Sequence, residues 1–317
     1  PAPEGACPYG AMEVWDADGT GRVRFEAEAL GVPSLGTITP NGAILARLWG
    51  RLEARGVPCV TGAGVADLVR SADRARLLLD DGRTLEADLV VAADGGRSRI
   101  RALAGIPVRS RAMDQTAVAT TAVVEAPHGD TAWQRFLETG PLAFLPLPDD
   151  DAGRHRVSVV WSLDEAEAEG VRGLDDAAFA GALERAFEGR LGRVLAVAPR
   201  GSFPLVQVHA ERYAADRVVL VGDAAHVLHP LAGQGVNLGL KDVVVLARVL
   251  RDLVRGPAGP AGLGDARLLG RYERARRGDN ALALGAMDGL KRLFGADDPA
   301  VRLLRNTGLA WVDRLAP

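Results

Sequence analysis

Residues 217–242, RVVLVGDAAHVLHPLAGQGVNLGLKD, constrain this chain more than any other stretch. An apolar, mostly β-branched run, Val218-Val219-Leu220-Val221, stops at Gly222-Asp223. A loop of small residues, His and Pro follows, then Gly233-Gln234-Gly235 and a helical pattern from about Asn237 onward. The order predicts a buried strand, a glycine-rich turn and a helix. A strand that ends in a carboxylate and feeds a helix N-terminus suits a polyol-bearing, partly anionic cofactor. Asp223 can accept hydrogen bonds from hydroxyls, the glycines let backbone approach a flat ring, and the first free N–H groups of the helix stabilise negative charge.

An ordinary crossover turn has the same outline, and Gly-x-Gly by itself does not separate the two. The full string is more restrictive. Gly222-Asp223-Ala224-Ala225-His226, followed by Pro230, Gly233, Gly235 and Asn237, resembles the second FAD-binding motif of the single-component flavin aromatic hydroxylases. Residues 89–101, LVVAADGGRSRIR, form a second piece: a buried-strand run, a turn at Asp94-Gly95-Gly96, and Ser98 placed to cap a short helix through Arg101 and Leu103. Asp94, Gly95, Ser98 and Arg101 are similar to the middle motif of the same family, which lies near the FAD pyrophosphate and the path of the nicotinamide donor. The resemblance narrows further at MEVWD (12–16), GPLAFLPL (140–147), VWS (160–162), HPLAGQG (229–235), RRGDN (276–280) and AMDGL (286–290). These look like the ubiquinone-biosynthesis hydroxylases.

The resemblance implies an enzyme that hydroxylates the ring of a polyprenylated phenol with FAD, NAD(P)H and O2, through a flavin C4a-hydroperoxide. It places the ribityl chain on Asp223 beside Gly222. The N–H groups of Gly235, Val236 and Asn237 face the pyrimidine side of the ring, and the segment from Pro230 to Gly233 lines the side where oxygen reacts. Together with Asp94, Gly95, Ser98 and Arg101 these are the expected cofactor contacts. No catalytic acid or base is assigned; Pro230 and His226 are candidates because they line the oxygen-reaction side. An unperturbed imidazole titrates near ~6.5. Even so, the favoured roles are structural, with His226 bonding loop backbone and His229 packed in the loop. The spacing His226-x-x-His229 has no third ligand nearby, so no metal is expected. Two alternatives belong to other classes: a non-catalytic subunit that binds lipid or partners, and an FAD oxidoreductase that does not oxygenate.

The expected fold class is α/β: a Rossmann-like FAD/NAD(P) lobe at 36–107 and 205–295, an inserted mixed or antiparallel β-sheet substrate lobe at 1–35 and 108–204, and a C-terminal helix at 296–317. The strand–GxGxxG–helix unit that opens the family is not seen before Thr39. The expectation is therefore a piece of a longer chain that retains little FAD and is inactive alone. At 317 residues two lobes are expected. A net charge of −3 leaves no footprint for nucleic acid. Cys7 and Cys59 form no ligand pattern and read as free thiols in a reducing, cytoplasmic compartment. No apolar run reaches the ~18 residues of a membrane span.

The finer pattern predicts a hairpin at 13–25 and a helix capped by Asn41 through Arg55. Strands are expected at 58–61, 65–69, 75–79, 84–85, 116–125, 142–147, 156–162 and near Val206, with helices at 175–188, 266–294 and 299–315. Phe136, Phe144 and Trp161 suit core packing better than a pocket wall. The apolar stripes of the last helices suit a core, a homo-oligomer surface, or a peripheral contact with the inner membrane face or a biosynthetic complex.

Overall fold

The computed structural model describes residues 3–17, 21–228, 235–257 and 259–294. The turn at 18–20, His229, Pro230, Gly233 and the helix expected at 299–315 lie outside the described residues.

The chain opens with β1 (Cys7–Tyr9), β2 (Ala11–Asp16), β3 (Arg22–Glu26), β4 (Gly36–Ile38) and α1 (Asn41–Ala54). Next come β5 (Val65–Arg70), β6 (Ala75–Leu79), β7 (Thr84–Ala87), β8 (Val90–Ala92) and α2 (Arg99–Leu103). The central run is β9 (Val108–Val124), β10 (Thr131–Leu137), β11 (Gly140–Leu147), β12 (His155–Asp164), α3 (Glu165–Gly173), α4 (Asp176–Ala186) and β13 (Val194–Val197). The last part holds β14 (Gly201–Ala210), β15 (Ala214–Ala215), β16 (Val218–Leu220), β17 (His226–Val227), α5 (Gly235–Arg255) and α6 (Ala266–Phe294).

Two compact units result, with boundaries at Cys59/Val60, Met113/Asp114, Leu205/Val206 and Gly289/Leu290. Residues 36–59 group with the first unit, although their sequence places them in the cofactor lobe; β4 pairs with β1, Cys7 opposite Ile38. Strands β9 and β14 each contribute residues to both units.

The first unit is built on a sheet in which β9, β12, β11 and β10 are antiparallel neighbours. Strand β10 then runs parallel to β2, with Trp133 opposite Glu13, and β2 pairs with β3 as the expected hairpin. Helix α4 is capped by Asp175, whose carboxylate accepts from Ala178 N at 2.7 Å. It buries Phe179 and Leu183, one turn apart, on a core containing Trp15, Phe144, Trp161 and Phe187. Phe144 stacks on Phe187 at 3.8 Å, and Phe136 is also buried, so all three aromatic side chains singled out in the sequence are packing residues. Glu13 is fully buried yet paired with Arg22 at 2.7 Å, Arg24 at 3.1 Å and Arg190 at 3.4 Å.

The second unit holds a meander, β5-β6-β7, and a small sheet in which β16 lies between β15 and β8. Strands β16 and β8 are parallel, Val218 opposite Val90 and Leu220 opposite Ala92. Val218, Val219 and Leu220 are all fully buried, which is why this strand reads as a continuous apolar run instead of alternating. Helix α5 supplies Leu246, Val249 and Leu253 to that core, and α6 supplies Leu269 and Tyr272. Arg217 sits at φ +61° and donates to the carbonyls of Ser71, Ala72 and Asp88, tying β16 to the meander.

Four local expectations need correction. Asn41 is the first residue of α1, not its cap; Pro40 takes that position without a side-chain bond. Residues 58–61 form no strand, because no partner among the described residues supplies a ladder. Strand β9 is seventeen residues long and begins at Val108, well before 116. Strands β1, β4, β10, β13, β15 and β17 and helix α3 lie outside the sequence expectations. No helix among the described residues is long and apolar enough to cross a membrane.

Candidate functional site

The chain leaves β16 into a single 3-10 turn, Gly222–Ala224. Gly222 adopts φ +58°, in the left-handed region, where a side chain would be strained. It also meets α5 at backbone distance: a Cβ on Gly239 would come 3.1 Å from the Gly222 Cα. Ala224 and Ala225 are fully buried, while Asp223 between Gly222 and Ala224 is exposed. Its carboxylate has no hydrogen-bond partner among the described residues. Helix α5 starts at Gly235, two residues earlier than its pattern suggests, and its first turn exposes Val236 and Asn237. A Cβ on Gly235 would meet nothing within 4 Å among the described residues.

The middle motif folds as its residue types require. Ser98 accepts from Arg101 N at 3.0 Å and donates to Asp94 Oδ1 at 2.5 Å; Asp94 Oδ2 accepts from Ile100 N at 3.1 Å. Gly95 makes the turn at φ +84°. Arg101 is buried, and its guanidinium donates to Ala224 O at 2.8 Å and Gly96 O at 2.9 Å. Burial pulls its pKa down, with the Asp94 charge opposing. The two motifs therefore meet through Arg101. Ser98 and Arg101 spend their polar atoms on the polypeptide, whereas Asp94 and Asp223 are exposed.

Behind the Gly222 turn lies a buried polar network that the sequence did not announce. Asp242 Oδ2 accepts from Gly222 N at 3.0 Å and from His226 Nε2 at 2.6 Å. Its Oδ1 accepts from Arg276 Nε at 2.7 Å and Asn280 Nδ2 at 3.3 Å. Burial alone pushes the Asp242 carboxyl up; the bonds from His226 and Arg276 outweigh it and hold the pKa below the ordinary value. Asn280 also donates to the Tyr213 hydroxyl, which lies 3.0 Å from His209 Nε2. Tyr272 donates to Leu220 O at 2.8 Å, and burial drives the pKa of both tyrosines upward. His226 is thus bonded to a carboxylate and not, as expected, to loop backbone.

A signal for this network existed. Asp242 stands four residues after Leu238 and four before Leu246, on the buried stripe of α5, where an acid is out of place without partners. Tyr272, Arg276 and Asn280 likewise recur at every fourth position of α6.

Outside this region, Cys7, His128 and Asp130 place ligand atoms within 4.8 Å of one another. Both His128 ring nitrogens are already engaged, Nε2 with Leu147 O and Nδ1 with Asp130 N. Burial raises the Cys7 pKa, and so do the charges of Asp130 and Asp149.

The chain belongs to the FAD binding domain family, whose model matches residues 18–279. Within that family it groups with the hydroxylases of ubiquinone biosynthesis. It is 42% identical to the ubiquinone hydroxylase UbiL of Rhodospirillum rubrum, over 87% of this chain and 62% of that protein. It is 37% identical to the Escherichia coli 3-demethoxyubiquinol 3-hydroxylase, over 97% of this chain and 76% of that one. The chain thus spans less than two thirds of the first relative's length and about three quarters of the second's. Among solved structures, PqsL of Pseudomonas aeruginosa has the same fold, with a TM-score of 0.76 at 22% identity, covering 96% of this chain and 82% of that one.

FAD fits the residues present. Asp223 offers acceptor oxygens that no donor among the described residues occupies, and a Cβ on Gly235 would meet none of the described residues within 4 Å. Asp223 and the N–H groups at Gly235, Val236 and Asn237 would hold it.

Proposed function

We propose that the full gene product is an FAD-dependent monooxygenase that hydroxylates the ring of a polyprenylated phenol in ubiquinone biosynthesis, drawing electrons from NAD(P)H and oxygen from O2. The observation that carries this reading is the exposed Asp223 just after β16, whose carboxylate has no partner among the described residues, in a chain 37% identical to a 3-demethoxyubiquinol 3-hydroxylase along 97% of its length. Bound FAD would supply the redox chemistry that passes donor electrons to oxygen.

The protein's own work is binding, orientation and electrostatics. Asp223 accepts hydrogen bonds from the ribityl hydroxyls, which are worth more for being made to a charged group. The N–H groups of Gly235, Val236 and Asn237 and the positive end of α5 stabilise negative charge on the reduced ring. His226 serves to hold the turn: its ring is fully buried and its Nε2 lies 2.6 Å from Asp242 Oδ2. Asp94, Gly95, Ser98 and Arg101 support the site as scaffold: they fix the loop that carries Arg101 onto the Gly222 turn.

The test is expression of the gene in hydroxylase-deleted cells, followed by identification of the quinone intermediate that disappears. An unchanged intermediate pool in the presence of flavin-loaded protein would end the proposal. A polyprenyl tail keeps the substrate in the bilayer, so a peripheral contact with the inner membrane face belongs to the same reading. Failure of the full gene product to float with anionic liposomes would count against that contact.

A further inference from the structure

One carboxylate ties the Gly222 turn to two helices. Asp242, fully buried on α5, takes the Gly222 N–H at 3.0 Å, while Gly239, one turn earlier on the same helix, approaches so closely that a Cβ there would lie 3.1 Å from the Gly222 Cα. The neighbouring bonds, Val221 N to Ala92 O and Ala225 N to Gly222 O, hold either side of the turn but leave the Gly222 N–H to Asp242. Asp242 is itself immobilised by Arg276 Nε at 2.7 Å, Asn280 Nδ2 at 3.3 Å and His226 Nε2 at 2.6 Å. Gly222 is therefore clamped between a fixed charge and a backbone wall, and the next residue is Asp223. The direction of the Asp223 carboxylate follows from how Gly222 is held.

We propose that Asp242 and Gly239 are positioning residues for flavin binding: they touch no flavin atom and act by aiming Asp223. The inference rests on Asp223 holding the ribityl chain. Its chemistry explains why an acid is buried in α5 at all. A neutral amide at 242 has one acceptor and one donor end, whereas the Gly222 N–H on Oδ2 and the Arg276 Nε on Oδ1 can only donate, so either orientation of Asn sets a donor against a donor. At 239 a methyl group would need Gly222 to retreat by a few tenths of an ångström.

The test is titration of the flavin-free full gene product with FAD, followed by quenching of flavin fluorescence, for Asp242→Asn, Gly239→Ala, Asp223→Ala and the two double variants with Asp223→Ala. Asp242→Asn and Gly239→Ala are each expected to weaken FAD binding about tenfold or more, the scale of one charge-assisted hydrogen bond. In the Asp223→Ala background neither should cost anything further, because the group they aim is gone.

Gly239→Ala carries the decision if Asp242→Asn does not fold. Alanine is the better helix former, so the flavin-free melting temperature should hold while affinity falls. A merely structural role would lower melting temperature and affinity together, and its effect would add to that of Asp223→Ala; that result overturns the clamp. Wild-type affinity in Gly239→Ala, with Asp223→Ala weakened, also overturns it. Wild-type affinity in Asp223→Ala would instead remove the flavin role of Asp223, and the clamp with it.

Discussion

Arg101→Met separates a scaffold role from a cofactor contact. Methionine keeps most of the aliphatic length but loses the guanidinium that donates to Ala224 O at 2.8 Å and Gly96 O at 2.9 Å. Hydrogen bonds from a charged group contribute about 1.5–3 kcal/mol each, and Ala224 is fully buried, so its carbonyl finds no replacement in water. Against this, the guanidinium no longer has to be desolvated, the same burial that draws its pKa down. The difference is about 3 kcal/mol of destabilisation in the flavin-free protein, or a fall of roughly 6–12 °C in melting temperature at about 2–4 °C per kcal/mol. Thermal unfolding followed by circular dichroism, without FAD, measures it. A melting temperature within about 2 °C of wild type, coupled to weaker FAD binding, would refute the scaffold role and return Arg101 to the cofactor.

Asp223→Ala should weaken FAD binding by about 1.5–3 kcal/mol in isothermal titration, with melting unchanged, since the carboxylate has no partner among the described residues. Gly235→Val should abolish flavin binding yet leave the flavin-free melt intact, because a Cβ there meets nothing within 4 Å among the described residues; a yellow Val variant would place the helix start elsewhere. Burial, then the charges of Arg277, His226 and Arg109, lower the His209 pKa. Its stabilising contribution is complete above the unfolded value of about 6.5 and drains away as pH falls from there toward the lowered folded value. His209→Gln should flatten the stability profile as pH falls below about 6.5, and an unaltered profile would contradict the assigned direction. The Asp242 pKa is also lowered, so its contribution is present above about 3.9 and is lost as pH falls through its folded value, giving a second acid transition that Asp242→Asn removes.

Much of the site was legible because its signals are local. The continuous, mostly β-branched apolar run at 218–221 points to a strand covered on both faces, and Gly222-Asp223 after it points to a turn. Ser98 three residues before Arg101 is a cap by spacing alone, and the structure forms that bond. The hairpin of β2 and β3 and the meander of β5, β6 and β7 follow equally from alternation and turn residues.

What the sequence left open depends on partners far along the chain. Arg101 could belong to a phosphate or to a carbonyl; only the approach of β16 to α2 gave it Ala224 O. Glu13 looked like any acid in a hairpin until Arg190 joined Arg22 and Arg24 around it. Strand β10 was hidden because Gln134 and Arg135, both buried in the sheet, break the alternation expected of a half-exposed strand. Asp242 is the sharpest case. Its residue type and its place on an apolar stripe conflict locally, and the conflict resolves only when α6 brings Arg276 and Asn280 against α5. Periodicity and turn chemistry act within a few residues and so can be read along the chain. The neutralisation of a buried charge needs groups that only the folded backbone brings together.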